Sequence, residues 1–423
     1  YRHYLSGLLG FPPEELDMGS VEAFRAYYQY VGINTAYLVP HGAVRLETVG
    51  FRDVPLVGDD LEAAKRIVRE GIEQGAVGFS TGLSYYPNSY SDTQELIELC
   101  RACHEAGGVY VTHIRNANVE RGFGGGGVAE ALEIGRRSGV RVHFSHYRTT
   151  PANPGQVAQI MAQIDQAKAE GVDCTLELYP YPTGSGYPLY YFPGWFHEGG
   201  PDAMLARLRD ATQRARLVVG LDDRYTGQWE DTVFTFVPSE KNRGLEGMSW
   251  ADVAKQRGVS IAAMLCDLLV EENVTLGYRG APPHSIALWR QVSRDSVELL
   301  SRPDYMVGSD SIPLGGLPHP RAFGTFPRFL GRLRRQFPII SLEQMLQRVT
   351  DNPARRFGLT RRGLLRKGYY ADIAIFDPDR LTDVATYDDP RQYPIGVHYV
   401  LVNGQVAVDH ERCTGVLAGR PVP

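Results

Sequence analysis

The fold is decided by two short stretches, Tyr110-Val111-Thr112-His113-Ile114-Arg115 and Val142-His143-Phe144-Ser145-His146-Tyr147-Arg148. Each is a β-branched and aromatic run that reaches a histidine with an arginine close behind, and a helix-like segment separates the two runs. This pattern is typical of two successive βα units. Because the carboxyl ends of the strands build the catalytic face of a (β/α)8 barrel, we expect His113 and His146 to converge there.

A third strand-like run, Tyr305-Met306-Val307-Gly308-Ser309-Asp310, ends on an aspartate. Imidazoles that are neutral at pH 7 bind divalent metals, and a carboxylate beside them can carry a proton. Two histidines and one aspartate at strand ends therefore predict part of a hydrolytic metal centre. For each histidine taken singly, the alternative is a strand end whose side chain is satisfied by the backbone. Three such ends in one chain favour the metal centre.

The composition indicates a soluble globular protein. The chain has 423 residues, of which 43% are hydrophobic, and a net charge of −5, so we expect neither nucleic acid nor a membrane as partner. The sequence has no apolar run of about eighteen residues, and the stretch Tyr1-Arg2-His3-Tyr4 lacks the apolar core of a signal peptide. A cytoplasmic location is the resulting expectation.

The cysteines are sparse and odd in number, which argues against a disulfide framework. Cys100-Arg-Ala-Cys103-His104 matches the pattern of a c-type haem attachment site. Leu96, Cys100 and Cys103, however, have the i, i+4, i+7 spacing of one helix face. We therefore expect both thiols in the core and no haem.

Alternation of strand-like and helix-like segments predicts six barrel strands. They lie at about 34, 77, 109, 141, 173 and 305. The periodicity loosens over about 190–300, which we interpret as an insertion with a strand at 215–221. The last part alternates around turns, and Asn403-Gly404 fits a type I′ hairpin. We therefore expect a metal-dependent hydrolase barrel over 1–358 and a C-terminal β-domain over 359–423.

A closed barrel of this type needs eight strands. The simplest position for the other two is upstream of residue 1, so that the six predicted strands become the third to the eighth. The first residue, Tyr1, is also not an initiator methionine. We therefore expect the chain to be a fragment that is not a competent enzyme alone.

Several motifs occur in an order and spacing that together resemble one family, the N-acyl-D-amino-acid deacylases (D-aminoacylases) of the amidohydrolase superfamily. The resemblance extends from about residue 20 to 410. The motifs that carry it are His41-x-x-x-Arg45, Gly78-Phe79-Ser80-Thr81-Gly82-Leu83-x-Tyr85-x-Pro87, His113-x-Arg115, Ser145-His146-x-Arg148, Tyr179-Pro180-Tyr181, Gly308-Ser309-Asp310, His319-Pro320-Arg321 and Gly368-x-x-Ala371-Asp372.

The resemblance implies an α/β fold, an amidohydrolase-type (β/α)8 barrel with a small β-sandwich domain. The first two barrel strands and the N-terminal part of the sandwich are then expected before residue 1. It also implies a Zn2+ cofactor with one tight site, a second weak site being left open. The metal ligands implied are His113 and His146, and the catalytic acid/base is Asp310. The family's His-x-His motif and its strand-borne cysteine have no counterpart here.

The implied reaction is hydrolysis of the linear amide bond of N-acyl-D-amino acids, the small-molecule partners; a homo-oligomer is left open. The substrate-binding residues implied are Arg148, Arg321, Tyr85, Tyr179 and Ser185. The sequence departs from the family pattern at two places, and both leave the exact substrate open. Arg148 stands where the family usually has lysine, and Asn116-Ala117-Asn118 lacks an expected acidic residue.

Three further points remain open. A cyclic amidase of the dihydroorotase or hydantoinase kind is an alternative, disfavoured because the strand at 76–80 lacks the lysine that such enzymes carboxylate. A non-catalytic scaffold with the same fold is another. Finally, His41 is expected to be structural or to support the site, and His143 cannot face a metal together with His146 from one regular strand.

Overall fold

The computed structural model describes residues 2–116 and 121–422. Its largest sheet is parallel and has six strands, which neighbour one another in chain order from Leu38–Pro40 to Tyr305–Val307. The strands of the described residues are β1 (Leu38–Pro40), β2 (Gly78–Gly82), β3 (Val109–His113), β4 (Arg141–Phe144), β5 (Cys174–Leu178), β6 (Ser185–Gly186), β7 (Val233–Phe236), β8 (Gly277–Arg279), β9 (Tyr305–Val307), β10 (Ile373–Phe376), β11 (Val397–Val402), β12 (Gln405–Asp409) and β13 (Arg412–Cys413). The six predicted barrel strands are therefore present, most of them shorter than predicted.

Helices connect the strands of this sheet and cover it. The α-helices of the described residues are α1 (Ser6–Leu9), α2 (Val21–Ala26), α3 (His41–Thr48), α4 (Gly58–Glu73), α5 (Thr93–Glu105), α6 (Gly126–Ser138), α7 (Val157–Ala169), α8 (Gly194–His197), α9 (Gly200–Arg209), α10 (Ala211–Tyr225), α11 (Trp250–Arg257), α12 (Ile261–Glu271), α13 (Ile286–Ser301), α14 (Arg321–Pro327), α15 (Arg334–Gln336), α16 (Leu342–Val349) and α17 (Asp351–Arg356). One π-helical segment, Arg328–Leu333, joins α14 to α15. Short 3-10 turns lie at Asn88–Tyr90, Pro188–Tyr191 and Arg243–Leu245.

Helix α5 illustrates how the sequence determines these elements. Asp92 caps it by accepting a hydrogen bond from the backbone N–H of Glu95, which satisfies one of the donors left free at a helix start. Leu96, Cys100 and Cys103 are buried on the face that packs into the core. The predicted placement of both thiols in the core is thus confirmed.

The register of the parallel sheet brings its carboxyl ends to one edge. Gly82 of β2 is opposite His113 of β3, and Leu178 of β5 is opposite Val307 of β9. Residues that follow these strands therefore emerge side by side. In the described part of the chain, no further strand pairs with the outer edge of β1 or of β9.

The insertion has its own apolar core and a small antiparallel sheet of order β6-β8-β7. The strand predicted at 215–221 is wrong, because this segment is the middle of α10. Leu217 and Leu221 are four residues apart and both buried. The side chain of Asp210 caps the start of the helix by accepting a hydrogen bond from the backbone N–H of Gln213. The helical spacing of the leucines and the cap outweigh the strand preference of Val218 and Val219.

The C-terminal sheet is antiparallel, with the order β10-β11-β12-β13. Val402 pairs with Gln405, so Asn403 and Gly404 form the two-residue loop of a hairpin. Both loop residues have positive φ angles, 48° and 83°, as a type I′ turn requires. The predicted hairpin is confirmed. Over residues 2–116 and 121–422, no helix is long and apolar enough to cross a membrane.

Candidate active site

Two histidine rings meet at the carboxyl edge of the parallel sheet. His113 is the last residue of β3, and His146 follows the end of β4. The Nδ1 atom of His113 lies 2.8 Å from the Nε2 atom of His146. His146 has a φ angle of 40°, a left-handed backbone conformation that costs a non-glycine residue free energy and is concentrated at functional sites. The structure thus brings the two predicted metal ligands together.

Both rings are uncharged at neutral pH. Burial, together with the charge of His146, lowers the pKa of His113 to about 3. Burial also lowers the pKa of His146 to about 4, against the opposing effect of Glu177. Neutral imidazoles can offer a nitrogen lone pair to a metal. The Nε2 atom of His113 is buried without a hydrogen-bond partner among the described residues. The other ring nitrogen, Nδ1, faces His146.

The donor pair suits a divalent metal, because both rings are neutral and two of their nitrogens face each other at adjacent strand ends. Catalytic zinc sites normally have three protein ligands. Within residues 2–116 and 121–422, no group of three or more histidine, cysteine, aspartate or glutamate side chains is arranged to hold a metal ion. The pair His113 and His146 alone is therefore one donor fewer than such a site requires.

Asp310, three residues after β9, lies beside the histidines. Its φ angle is 47°, so it shares the left-handed backbone of His146. Its Oδ2 atom lies 2.8 Å from Nη1 of Arg321. Burial raises the pKa of Asp310 from its ordinary value, although Arg321 and His113 oppose this. A carboxylate with a raised pKa is suited to exchange protons near neutral pH.

Two arginines contact the ring of Tyr179, the residue that follows β5. The guanidinium carbons of Arg148 and Arg321 lie 4.4 Å and 4.5 Å from its centroid, within the range of cation–π attraction. The Nε and Nη2 atoms of Arg321 are buried without hydrogen-bond partners in the described part of the molecule. These two atoms form the edge of a guanidinium that binds a carboxylate with two parallel hydrogen bonds.

The other two predicted substrate-binding residues are Tyr85 and Ser185. The ring of Tyr85 lies 5.0 Å from that of His113. Burial is the main cause that raises the pKa of Tyr85, and the negative charge of Asp310 is the second cause. Ser185 begins β6, and its hydroxyl is buried with no partner among the described residues. Both side chains are therefore uncharged groups that can hydrogen-bond to a ligand.

Sequence reasoning missed Glu177, which is the penultimate residue of β5. Its Oε2 atom lies 3.5 Å from Nε2 of His143, and the ring of His143 is 2.8 Å from the hydroxyl of Thr175. Burial raises the pKa of Glu177, but the contacts with His143 and His146 outweigh burial and leave this pKa lowered. A Cβ atom at Gly308 would overlap the Glu177 carboxylate. The alternating apolar pattern of Cys174, Leu176 and Leu178 could have assigned Glu177 to the barrel interior.

The remaining predictions concern neighbouring residues. His41 is buried at the start of α3, where its Nε2 atom lies 2.9 Å from Oε1 of Glu95, and Glu95 also pairs with Arg45. This places His41 in a buried ion-pair cluster, as the structural alternative predicted. Of the stretch that departs from the family, Asn116 donates a hydrogen bond to the hydroxyl of Tyr190, whereas Ala117 and Asn118 lie outside the described residues.

The chain is similar in sequence to known proteins. A sequence profile of the amidohydrolase family matches residues 278–408. N-acyl-D-glutamate deacylase of Alcaligenes xylosoxydans xylosoxydans is 33% identical over 405 residues, which cover 94% of this chain and 71% of the relative. D-aminoacylase of the same organism is 30% identical over 422 residues, which cover 97% of this chain and 76% of the relative.

A solved structure is similar over the same extent. N-acyl-D-glutamate deacylase from Bordetella bronchiseptica, crystallised with zinc and a phosphonate that mimics the tetrahedral intermediate, superposes with a TM-score of 0.77 at 30% identity. The match covers 97% of this chain and 76% of that protein. The fold is therefore of the amidohydrolase type. With such identity over most of its length, the chain belongs to the D-aminoacylase family of the amidohydrolases.

Proposed function

We propose that this protein is a metal-dependent amidohydrolase that cleaves the amide bond of N-acyl-D-amino acids and releases a carboxylate and a D-amino acid. One observation carries the proposal: the neutral pair His113 and His146 and the ion pair of Asp310 with Arg321 lie at the same edge of the sheet. This hydrolysis requires three parts: a group that binds the metal, a group that carries the proton and a group that binds the substrate carboxylate.

Substrate recognition begins with the α-carboxylate of the amino acid. The free Nε and Nη2 edge of Arg321 binds it through two hydrogen bonds. Arg148, which forms no ion pair with any described residue, adds a second positive charge on the same tyrosine ring. Tyr85 and Ser185 donate hydrogen bonds from uncharged hydroxyl groups. These contacts orient the amide bond towards His113, His146 and Asp310.

Proton transfer is assigned to Asp310. In its ionised form the carboxylate accepts a proton from the attacking water and then donates it to the departing amine nitrogen. The pair with Arg321 keeps the carboxylate oriented and stabilises its charged form. A metal held by His113 and His146, which we assign as Zn2+ in one tight site with a second, weak site left open, would polarise the amide carbonyl and lower the pKa of water.

The two alternatives are less well supported. Strand β2, Gly78–Gly82, carries no lysine to carboxylate, and the relatives that match most of the chain are deacylases of linear amides. A cyclic amidase is therefore not favoured. A non-catalytic scaffold would not need neutral histidines, a carboxylate of raised pKa and unpartnered arginine donors in one place.

The experiment that tests the function is a hydrolysis panel of N-acetyl-D- and N-acetyl-L-amino acids with the natural full-length protein and added Zn2+. Release of the free amino acid from the D series, and much less from the L series, is the expected result. Hydrolysis of a cyclic amide such as a hydantoin, without cleavage of any N-acetyl-D-amino acid, would refute the proposal.

A further inference from the structure

The segment 383–389, which lies between β10 and β11 of the C-terminal sheet, reaches back to the candidate active site. Tyr387 is 7% exposed there. Its hydroxyl lies 2.8 Å from the hydroxyl of Thr183 and 3.2 Å from Nε2 of His319. Thr183 precedes the Gly184–Ser185 part of the site, and His319 precedes Arg321. The hydroxyl of Thr183 also lies 3.3 Å from Nε2 of His319, so the three side chains form one hydrogen-bonded cluster between the loops that carry Ser185 and Arg321.

The hydrogen bonds fix the tautomer of His319. The backbone N–H of Arg321 donates to Nδ1 of His319 at 3.1 Å, so the proton of the neutral ring is on Nε2. Burial, followed by the charge of Arg321, lowers the pKa of His319 well below its ordinary value and keeps the ring neutral. The Nε2–H group then faces two hydroxyl oxygens, that of Tyr387 at 3.2 Å and that of Thr183 at 3.3 Å. These two hydroxyls share a hydrogen bond of 2.8 Å.

The loops held in this way determine where both arginines lie. Arg148 donates from Nη2 to the carbonyl of Thr183. A Cβ atom at Gly184 would lie 3.4 Å from Nη1 of Arg321 and 3.1 Å from the hydroxyl of Tyr179. The 183–185 loop therefore lies close to the guanidinium groups of both arginines, and a shift of this loop would change their surroundings.

The segment that carries Tyr387 is itself anchored to the barrel. Asp383 is 1% exposed and pairs with Arg328 at 2.9 Å and with Arg332 at 2.8 Å. Nη2 of Arg279 donates to the carbonyl of Tyr387 at 3.0 Å. Arg328 and Arg332 directly follow α14, which begins at Arg321. The anchors hold Tyr387 against the site independently of its hydroxyl group.

From this arrangement we infer that Tyr387 is a positioning residue for carboxylate recognition, acting on Arg321 through His319 and on the 183–185 loop through Thr183. The inference rests on the proposed function, since it concerns the carboxylate of the same substrate. Tyr387 does not touch the reacting atoms. Its hydroxyl sets the orientation of Arg321, so its loss should affect charged substrates more than neutral ones.

The test compares Tyr387→Phe with Tyr399→Phe in the natural full-length protein. Tyr399→Phe is a matched control, because it also removes a hydroxyl that bonds a histidine, His410 at 2.9 Å, but on the exposed side of the C-terminal sheet. The substrates are an N-acetyl-D-amino acid and its C-terminal carboxamide. The ratio of kcat/KM for the acid to kcat/KM for the amide should fall about tenfold in Tyr387→Phe, mainly through KM.

Tyr399→Phe should leave this ratio unchanged. An unchanged ratio in Tyr387→Phe, or equal losses on acid and amide, would overturn the inference. If Tyr387→Phe melts at a clearly lower temperature than Tyr399→Phe, Thr183→Val serves as a second variant. It removes the hydroxyl that bonds Tyr387, and it must lower the ratio likewise.

A second measurement separates this inference from the proposed function. Turnover by the parent protein tests the function alone. The imidazole 15N shifts of His319 report its tautomer without turnover. They should show an Nε2-protonated ring in the parent protein and a weakened Nε2–H hydrogen bond in Tyr387→Phe. Shifts that show protonation at Nδ1, or no change on substitution, contradict the network whatever the enzyme hydrolyses.

Discussion

Nη1 of Arg321 lies 2.8 Å from Oδ2 of Asp310, while the Nε and Nη2 edge of the same guanidinium has no partner among the described residues. In the proposed function, this arginine therefore serves the proton-carrying carboxylate with one part of its guanidinium and the substrate carboxylate with another. This arrangement couples recognition to proton transfer, because removal of the arginine changes both the affinity for the substrate and the charge next to Asp310.

Arg321 should discriminate between charged and neutral substrates. Arg321→Met should lower kcat/KM more for an N-acyl-D-amino acid than for its carboxamide, because only the acid loses a charge-assisted pair. The two losses should differ by a factor of about ten to about a hundred. Arg321→Lys, which keeps the charge but loses the two-pronged edge, should fall between the parent and Arg321→Met. Steady-state kinetics on the two substrates measure the effect. Equal losses on acid and amide would show that Arg321 only supports the structure.

The dependence of activity on pH should report Asp310. This carboxylate must be ionised to accept a proton, so its raised pKa places the acid limb of the kcat/KM profile above the range of an ordinary aspartate. Arg321 lowers the pKa of Asp310. Its replacement by methionine should therefore move the acid limb to higher pH. The profile is recorded with the carboxamide substrate, so that substrate charge does not contribute. A shift to lower pH would contradict the assignment.

The buried cluster behind β1 should contribute to stability. Glu95 accepts from Arg45 and from the backbone N–H of Leu56, and both charged side chains are fully buried. Glu95→Gln leaves Arg45 buried without its counter-charge, which should lower the free energy of unfolding by about 3–5 kcal/mol. Urea denaturation measures the change. Glu62→Gln, which removes an exposed pair with Lys65, is the control and should leave the midpoint nearly unchanged. Equal midpoints for the two variants would contradict this role for Glu95.

The sequence allowed the strand ends to be predicted, because each signal is local. An apolar run that stops at a polar residue identifies His113, His146 and Asp310 without knowledge of their neighbours. The same reasoning placed Cys100 and Cys103 in the core by helical spacing. The roles of the three strand-end residues nevertheless remain predictions until metal content and turnover are measured.

Contacts between distant segments could not be predicted in this way. The pairing of Glu177 with His143 depends on the register of β4 and β5, and the approach of Tyr387 to Thr183 joins residues that are 204 positions apart. The strand predicted at 215–221 was wrong for a related reason. Its valines favour a strand locally, whereas the burial of Leu217 and Leu221 in the core of the insertion favours a helix.

The central claim is that His113 and His146 hold a metal on which hydrolysis depends while Asp310 carries the proton. It is tested most directly by measuring metal content and N-acetyl-D-amino-acid turnover together in His113→Ala, His146→Ala and Asp310→Asn. The exposed His284 provides the control, His284→Ala, which should keep both properties. We expect both site histidine variants to lose bound zinc and turnover together, and Asp310→Asn to keep zinc while turnover falls at least a hundredfold. Stoichiometric zinc in both His113→Ala and His146→Ala would contradict the account.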